Sequence, residues 1–504
     1  LPPIRVGDWV EVKSRVDDRE RTFFGDYFGY THLFPASEPV PVRVSRLDLL
    51  LEGGRDYTFQ TVGEVGEASV RELEDGTKHH AFEVKDLPRR RAERFAPSIF
   101  ERGPLVRVST YADWNAFASW WWNLIRKQTQ LTPEIKAKVA ELVDGKATIE
   151  QKVRAIYDFV VSDIRYNAWE FGVHGYKPYS VGSIFERRFG DCKDKSILMN
   201  AMLSEIGVEA FPVLIKADVG RDVDDLTLPM VQHFNHCISY VPAQQGMPAR
   251  FLDGTAQYHA IETLPAMDRG AKVVVVKGGR AELLDIPWSA PSDEQETTSY
   301  VITLDADGAA TIDYRYEPRG NAATTIREDY GSETARRDVK LQDRLAARFG
   351  RVELESSRYS DLASLETPVD VRARFLVKDL AARDGPNAFR LPVTFDKTNL
   401  GTLTPSEQRS YDLVLSNPSA EHVTIDYVAP EGWRFARIPE NVDLDTKVGD
   451  ARLRFVVDGQ RLRIERHIVF ENARIRREDY SVFKDFTEAV DRIGTLDLRM
   501  EKKQ

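Results

Sequence analysis

Three residues with the chemistry of acyl transfer follow one another in the chain: Cys192, His236 and Asp253. Cys192 sits in Arg188-Phe189-Gly190-Asp191-Cys192-Lys193-Asp194-Lys195-Ser196, a glycine turn that runs directly into a helical pattern. That places the thiol at a helix N-terminus, where orphan N–H groups and the positive end of the dipole favour a negative sulfur. The same N–H groups can donate to an oxyanion. His236 lies in Gln232-His233-Phe234-Asn235-His236-Cys237-Ile238-Ser239-Tyr240, which alternates like a strand. Period two puts Phe234, His236, Ile238 and Tyr240 on one face and His233, Asn235, Cys237 and Ser239 on the other, so His236 is expected on the apolar side. A thiol nucleophile needs an imidazole base, and the base needs a third group to fix its tautomer. Asp253 closes the run Arg250-Phe251-Leu252, a plausible neighbouring antiparallel strand, and can supply that group. Each residue alone has a plainer reading: an inert buried cysteine, a hydrogen-bonded core histidine, and the first residue of an Asp-Gly turn. Together, in the order helix then two strands, they are more specific.

The elements needed to hold these residues are visible around them. Trp114, Phe117, Trp121, Leu124 and Ile125 recur at helical spacing, then Ile135, Val139 and Leu142, then Val153, Ile156, Phe159 and Val160. Thr132-Pro133-Glu134 marks one helix start, and Thr148-Ile149-Glu150-Gln151 resembles a capping box. The Cys192 helix should carry Ile197, Leu198, Ala201, Met202 and Ile206 on one side and stop at Gly207. Strand-like runs follow at 210–215, 234–241, 249–253 and 272–276, an α+β order.

Upstream, from about residue 1 to 105, segments such as Trp9-Val10-Glu11-Val12 and Val42-Arg43-Val44 alternate with Gly turns and read as a β-sandwich. From about 290 the β pattern returns, with a hairpin across Asp305-Ala306-Asp307-Gly308 and helical intervals near 333–349 and 480–493. The expected units are therefore 1–105, 106–290 and 291–504. Three units suit 504 residues at roughly 100–200 residues per domain.

The composition, 42% apolar and 30% charged, is that of a folded chain able to bury a core in each unit. A net charge of -10 disfavours nucleic acid and anionic lipid as partners. Cys192 and Cys237 are too few for a disulfide scaffold or a four-thiolate zinc site, and no apolar run approaches the roughly 20 residues of a membrane helix. The chain opens on Leu1-Pro2-Pro3 without an initiator Met, which reads as a fragment or processed product whose targeting signal would not be visible.

Gly190-Asp191-Cys192-Lys193-Asp194-Lys195, Phe234-Asn235-His236 and Leu252-Asp253-Gly254-Thr255-Ala256 resemble the core of the bacterial transglutaminase-like superfamily, a papain-like α+β fold. The resemblance extends upstream to Ile164-Arg165-Tyr166, Gly175-Tyr176-Lys177-Pro178 and Phe185-Glu186-Arg187-Arg188-Phe189. More loosely, the N-terminal β region and the Trp114–Trp122 helix look like a flanking β domain of unknown function often attached to this core. It implies Cys192 as nucleophile, His236 as general base and then acid, and Asp253 as its orienting partner, in a protein of the bacterial periplasm or cell surface. The sequence departs from the commonest pattern in having Asp253-Gly254-Thr255 where many members carry Asp-Pro-Thr. The expected fold class is α+β: a transglutaminase-like domain flanked by N- and C-terminal β-sandwich-like domains.

Tyr166, Trp169 and Tyr176 are candidate oxyanion donors beside the Cys192 N–H, since papain-like folds use a side chain from the segment before the cysteine. Cys237 is expected to point to the opposite face from His236, which argues against a bridge to Cys192. His233 and His236 form H-x-x-H, but strand positions three apart face opposite sides, poor zinc geometry. The basic run Pro88-Arg89-Arg90-Arg91 with Arg94 reads as a solvated face, and Trp120-Trp121-Trp122 as partly inward, partly at an interface or groove.

The chemistry expected is thiolate attack on a peptide or glutamine carbonyl, a thioester, and release to water or an amine, with no cofactor or metal. Hydrolysis is slightly favoured, because nothing in the sequence visibly excludes water or recruits an amine. The alternative is a non-catalytic or regulated peptide-binding module that uses the groove and the flanking β domains.

Overall fold

The computed structural model describes residues 5, 7–11, 27–35, 40–89, 92–332, 334–396 and 398–503. Leu1, Pro2, Pro3, Val12, Arg90 and Arg91, named above, lie outside the described residues. Trp9, Val10 and Glu11 form no strand and are exposed, so the β reading of these three residues is corrected.

The N-terminal region carries two three-stranded antiparallel sheets, Gly29–Leu33, Leu105–Ser109 and Thr58–Val62 in one, and Val42–Leu51, Lys78–Leu87 and Ser69–Glu72 in the other. Leu47, Leu49 and Leu51 alternate inward with the pleat and share one apolar cluster with Phe82, Val106 and Val108.

The centre begins with three consecutive helices, Trp114–Ile125, Pro133–Val143 and Ile149–Asp163. Thr132 caps the second, and Thr148 with Gln151 closes a capping box on the third, as their spacing predicts. The helix Cys192–Glu205 is buried at every position from Cys192 through Leu203, not on one side only as the apolar spacing suggested. Its polar residues are sunk with partners: Asp194 meets Arg187 at 2.7 Å, and Lys195 donates to the Ile164 carbonyl. Polar residues satisfied inside a core leave no apolar stripe to read. The helix ends at Gly207, whose φ of +72° closes it.

This helix lies against a five-stranded antiparallel sheet in the order Arg250–Leu252, His236–Val241, Phe211–Ile215, Lys272–Lys277, Arg280–Asp285. Ser196 Oγ donates to the Ile238 carbonyl at 2.8 Å and sits 2.9 Å from Ser239 Oγ, tying helix to sheet. Cys237, Val241, Val274 and Val276 share the helix cluster, while Ile238, Val273 and Val275 belong to a cluster with Val213, Ile215 and Ile286.

The C-terminal region holds an eight-stranded mixed sheet and a four-stranded sheet that share one apolar cluster through Tyr300, Phe375, Phe389 and Met500. The hairpin joins Gln295–Leu304 to Ala310–Pro318, and the last helix is Tyr480–Ile493, both where the sequence placed them. The helical interval near 333–349 resolves as Arg337–Phe349, preceded by a further helix, Gly320–Gly331, that the pattern did not reveal. Glu101 ties the regions together by accepting from the Val223 N–H at 2.8 Å and from Arg474. The fold is thus mixed helix and sheet with β-rich flanks. No helix among the described residues is long and apolar enough to cross a membrane.

Candidate active site

The approach to Cys192 is a tight change of direction. The helix Val181–Arg187 ends at Arg188, a non-glycine residue at φ +57°, whose guanidinium lies over the rings of Phe185 and Phe159. Phe189–Gly190 then pairs in parallel with Arg165–Tyr166, and the Cys192 helix starts two residues later. Glycine at 190 is required by close approach, because a Cβ there would stand 2.6 Å from the Asp194 Cβ. Asp191 is the N-cap: its side chain accepts from the Asp194 N–H at 3.1 Å and its carbonyl from the Lys195 N–H at 3.0 Å. The amides of Cys192 and Lys193 are the ones this cap leaves over, beside a thiol that is 8% exposed.

His236 is the first residue of its strand, and the residues before it fold differently from expectation. Val231–His233 form a single 3-10 turn, so the alternation begins only at His236. His233 therefore reaches no site with His236. Its Nε2 lies 2.9 Å from the Leu228 carbonyl, and burial pushes it down to about 4, the neutral core histidine of the plainer reading. His233 lines neighbouring cavities that exclude His236, while His236 lines the cavity of Cys192, so the H-x-x-H pair shares no cavity.

His236 Nε2 lies 3.2 Å from Asp253 Oδ2, and Cys192 lines the same cavity as the ring, near enough for its charge to act on it. Asp253, with no exposed side-chain surface, also accepts from the Thr255 N–H at 2.7 Å and the Thr255 hydroxyl at 2.8 Å. Burial by itself would push the His236 ring down. The Asp253 carboxylate and the Cys192 sulfur outweigh it and hold the ring well above its ordinary value. Burial likewise pushes Asp253 up, but His236 and the Thr255 donors hold it below the ordinary range. The Asp253-Gly254-Thr255 turn thus presents its carboxylate to the histidine despite lacking proline.

Cys192 and His236 line a cavity of about 280 Å³ with Phe117, Trp120, Trp121, Tyr176 and Phe234 on its apolar side and Glu170 and Lys193 on its polar side. Every lining residue lies between 117 and 237, so neither flanking β region contributes. Of the tryptophan triplet, Trp121 is buried with Nε1 donating to the Tyr176 carbonyl at 3.1 Å, Trp120 lines the cavity, and Trp122 is half-buried against the core. Cys237, expected on the face opposite His236, lies opposite Ile238 as the alternation predicts, yet it lines the same cavity as His236, because that face covers the Cys192 helix. Both cysteines are free thiols.

The three aromatic oxyanion candidates separate. Tyr166 stands near Cys192, and burial followed by the Cys192 charge pushes its hydroxyl up to about 12. Tyr176 lines the cavity, whereas the Trp169 ring packs on Tyr179, Phe189 and the Arg187 guanidinium and is absent from the lining. Among the described residues, two clusters bring metal-type donors within 4.8 Å: Glu170 with Asp191 and Cys192, and His236 with Asp253 and Asp268. Asp191 is already paired with Lys193, and the His236 nitrogen with Asp253. Asp268 escaped the sequence reading, since a buried carboxyl in Met267-Asp268-Arg269-Gly270 has no local signature.

Comparison with known proteins follows the same outline. The transglutaminase-like superfamily profile matches residues 136–216, which include Cys192 and stop short of His236 and Asp253. Two domains of unknown function, DUF3857 and DUF3858, match residues 1–91 and 387–496. A crystal structure of a protein from Parabacteroides distasonis, provisionally described as a protease, superposes with a TM-score of 0.61 at 13% identity, over 94% of this chain and 75% of that one. A Cytophaga hutchinsonii protein provisionally described as a cysteine protease aligns at 12% identity over 45% of this chain and 78% of that one, with a TM-score of 0.20. No curated protein matches the chain. The chain carries a transglutaminase-like superfamily domain between an N-terminal DUF3857 domain and a C-terminal DUF3858 domain.

Proposed function

We propose that this chain is a cysteine-dependent acyl-transfer enzyme acting on peptide or glutamine amides, with Cys192 as nucleophile, His236 as base and acid, and Asp253 as orienting group. The observation that carries the reading is His236, hydrogen-bonded to Asp253, sharing one cavity with Cys192. The sulfur attacks the carbonyl carbon, and the oxyanion is met by the amides left over at the helix N-terminus. The imidazolium gives its proton to the departing amine, leaving a thioester. Water, deprotonated by His236, then releases the acid and restores the thiol. An amine in place of water gives a cross-link; hydrolysis is the slightly favoured branch, because nothing in the sequence visibly excludes water or recruits an amine. The superfamily resemblance extends the proposal to an exported protein of the bacterial periplasm or surface, which cell fractionation tests.

The test measures Cys192 alkylation against pH in the native chain and in His236→Ala, then screens glutamine peptides for ammonia release or amine incorporation. Alkylation that persists into acid in the native chain and is lost in the variant supports the enzyme. The burial of Cys192, 8% exposed, favours the second reading, a regulated binding module. A thiol unlabelled until unfolding would select it.

A further inference from the structure

Asp268 ends a single 3-10 turn, Ala266–Asp268, and is fully buried at 0% exposure. One of its carboxyl oxygens lies within 4.8 Å of both the His236 ring nitrogen and an Asp253 oxygen. Neither Asp268 oxygen receives a hydrogen bond from a donor among the described residues. The charged and titratable groups around it are occupied elsewhere. Arg221 donates to the carbonyls of Lys216, Met267 and Arg269 and to Asp224. Arg269 donates to the Leu264 carbonyl and to Glu294, and Tyr157 donates to the His259 carbonyl at 3.3 Å. Asp253, by contrast, already collects the Thr255 amide and hydroxyl and the His236 ring.

Two ionised carboxyls are acceptors only and can form no bond with each other; a buried anion with no donor at all is costly. One proton resolves both problems, because an O–H···O⁻ bond then joins the pair. The proton belongs on the member that has no other donor. We propose that Asp268 is a neutral carboxylic acid that donates a hydrogen bond to Asp253, positioning the carboxylate that in turn orients His236. Burial, and next the Asp253 charge, push Asp268 well above the ordinary carboxyl range, and His236 and Arg221 do not pull it back. Asp268 touches no substrate in this scheme. It is a positioning residue, and its positioning role rests on the enzyme reading above, whereas its protonation does not.

The test uses the full chain with Asp268→Asn and Asp268→Leu. Asparagine is neutral, nearly isosteric and still a donor. Infrared spectra at pH 7 should show the C=O stretch of one protonated carboxylic acid in the native chain, lost in Asp268→Asn. The His236 ring, followed by NMR, should titrate in Asp268→Asn as in the native chain. Cys192 alkylation at pH 6 should fall about tenfold in Asp268→Leu, and Asp268→Asn should recover most of that loss. A native spectrum without the acid band overturns the proposal. So does a His236 titration that drops by about one pH unit or more in Asp268→Asn, since that is the signature of a lost negative charge. Equal loss of alkylation in both variants, or a stoichiometric divalent ion that a chelator removes and Asp268→Asn abolishes, overturns it as well. A native Cys192 that never reacts would sink the enzyme reading and leave the infrared and His236 results standing.

Discussion

The imidazole of His236 reaches Asp253 at 3.2 Å through Nε2, on a carboxylate with no exposed side-chain surface, while Cys192 shares its cavity and acts on the ring through its charge. Both partners of the ring favour its protonated form, so the site is built to hold an imidazolium beside a sulfur. Removing the ring should therefore hurt more than removing the carboxylate's charge. His236→Ala is expected to lower kcat/KM on a cleavable amide by about 10³-fold or more, and Asp253→Asn by about 10²-fold. Steady-state rates for the two variants check the order, and Asp253→Asn falling below His236→Ala would contradict it.

Two histidines three residues apart are expected to act on stability in opposite directions. His236 sits above its ordinary value of 6.5, so its contribution is fully present below pH 6.5 and is lost as pH rises through the folded value. His233 sits below, at about 4, so the folded chain resists its protonation and stability falls as pH drops from 6.5 to 4. The His233 penalty is bounded by ~3 kcal/mol. Denaturant midpoints across pH 4 to 8 should show His233→Gln flattening the acid side and His236→Gln flattening the neutral-to-alkaline side.

Among the aromatics before the cysteine, Tyr166 is the one whose hydroxyl feels the Cys192 charge. If one phenol completes the oxyanion site, it is this one. Tyr166→Phe should lower kcat about 10²-fold with KM little changed, the pattern of an interaction made in the transition state. Trp169→Phe, whose ring packs on Arg187 and Tyr179, should change kcat less than threefold, by the same comparison of direct and remote groups. Paired kcat and KM values decide it, and a Tyr166→Phe loss confined to KM would assign the ring to substrate binding instead.

How much of this was legible depended on whether the signal was local. Gly190-Asp191 before Cys192 announced a helix start, and the Thr148–Gln151 pair and the Tyr480–Ile493 helix stood where capping and period placed them. Helix Gly320–Gly331 was invisible because its N-terminus has no local cap; instead Glu294 accepts from the Asn321 N–H at 3.0 Å across 27 positions of sequence. That Cys237 lies against the Cys192 helix was not legible for a related reason: alternation sets it opposite Ile238, but does not tell which face the helix will cover. His233 was drawn into the strand because Gln232–Tyr240 alternates in composition, whereas the backbone makes a turn up to His233. Asp268 depends on neighbours at 236 and 253 and has no signature of its own.

The geometry of the site also depends on a bond remote from the chemistry. Cys192 is fixed by the first turn of its helix and His236 by the first residue of its strand, so the two approach each other only if helix and strand keep their register. Ser196 and Ser239 are both fully buried, and the Ser196 hydroxyl bonds the Ile238 carbonyl and Ser239 across that seam. Ser196→Ala should cost ~1–3 kcal/mol by leaving buried polar groups unpaired. The double variant Ser196→Ala/Ser239→Ala should cost less than the sum of the singles, with a coupling of about 1 kcal/mol, because the second change removes a group the first had orphaned. Cys192 alkylation should slow in the single variants in step with the lost stability. Additive unfolding energies, or unchanged alkylation, would show that sheet and helix hold the cysteine and histidine together without this seam.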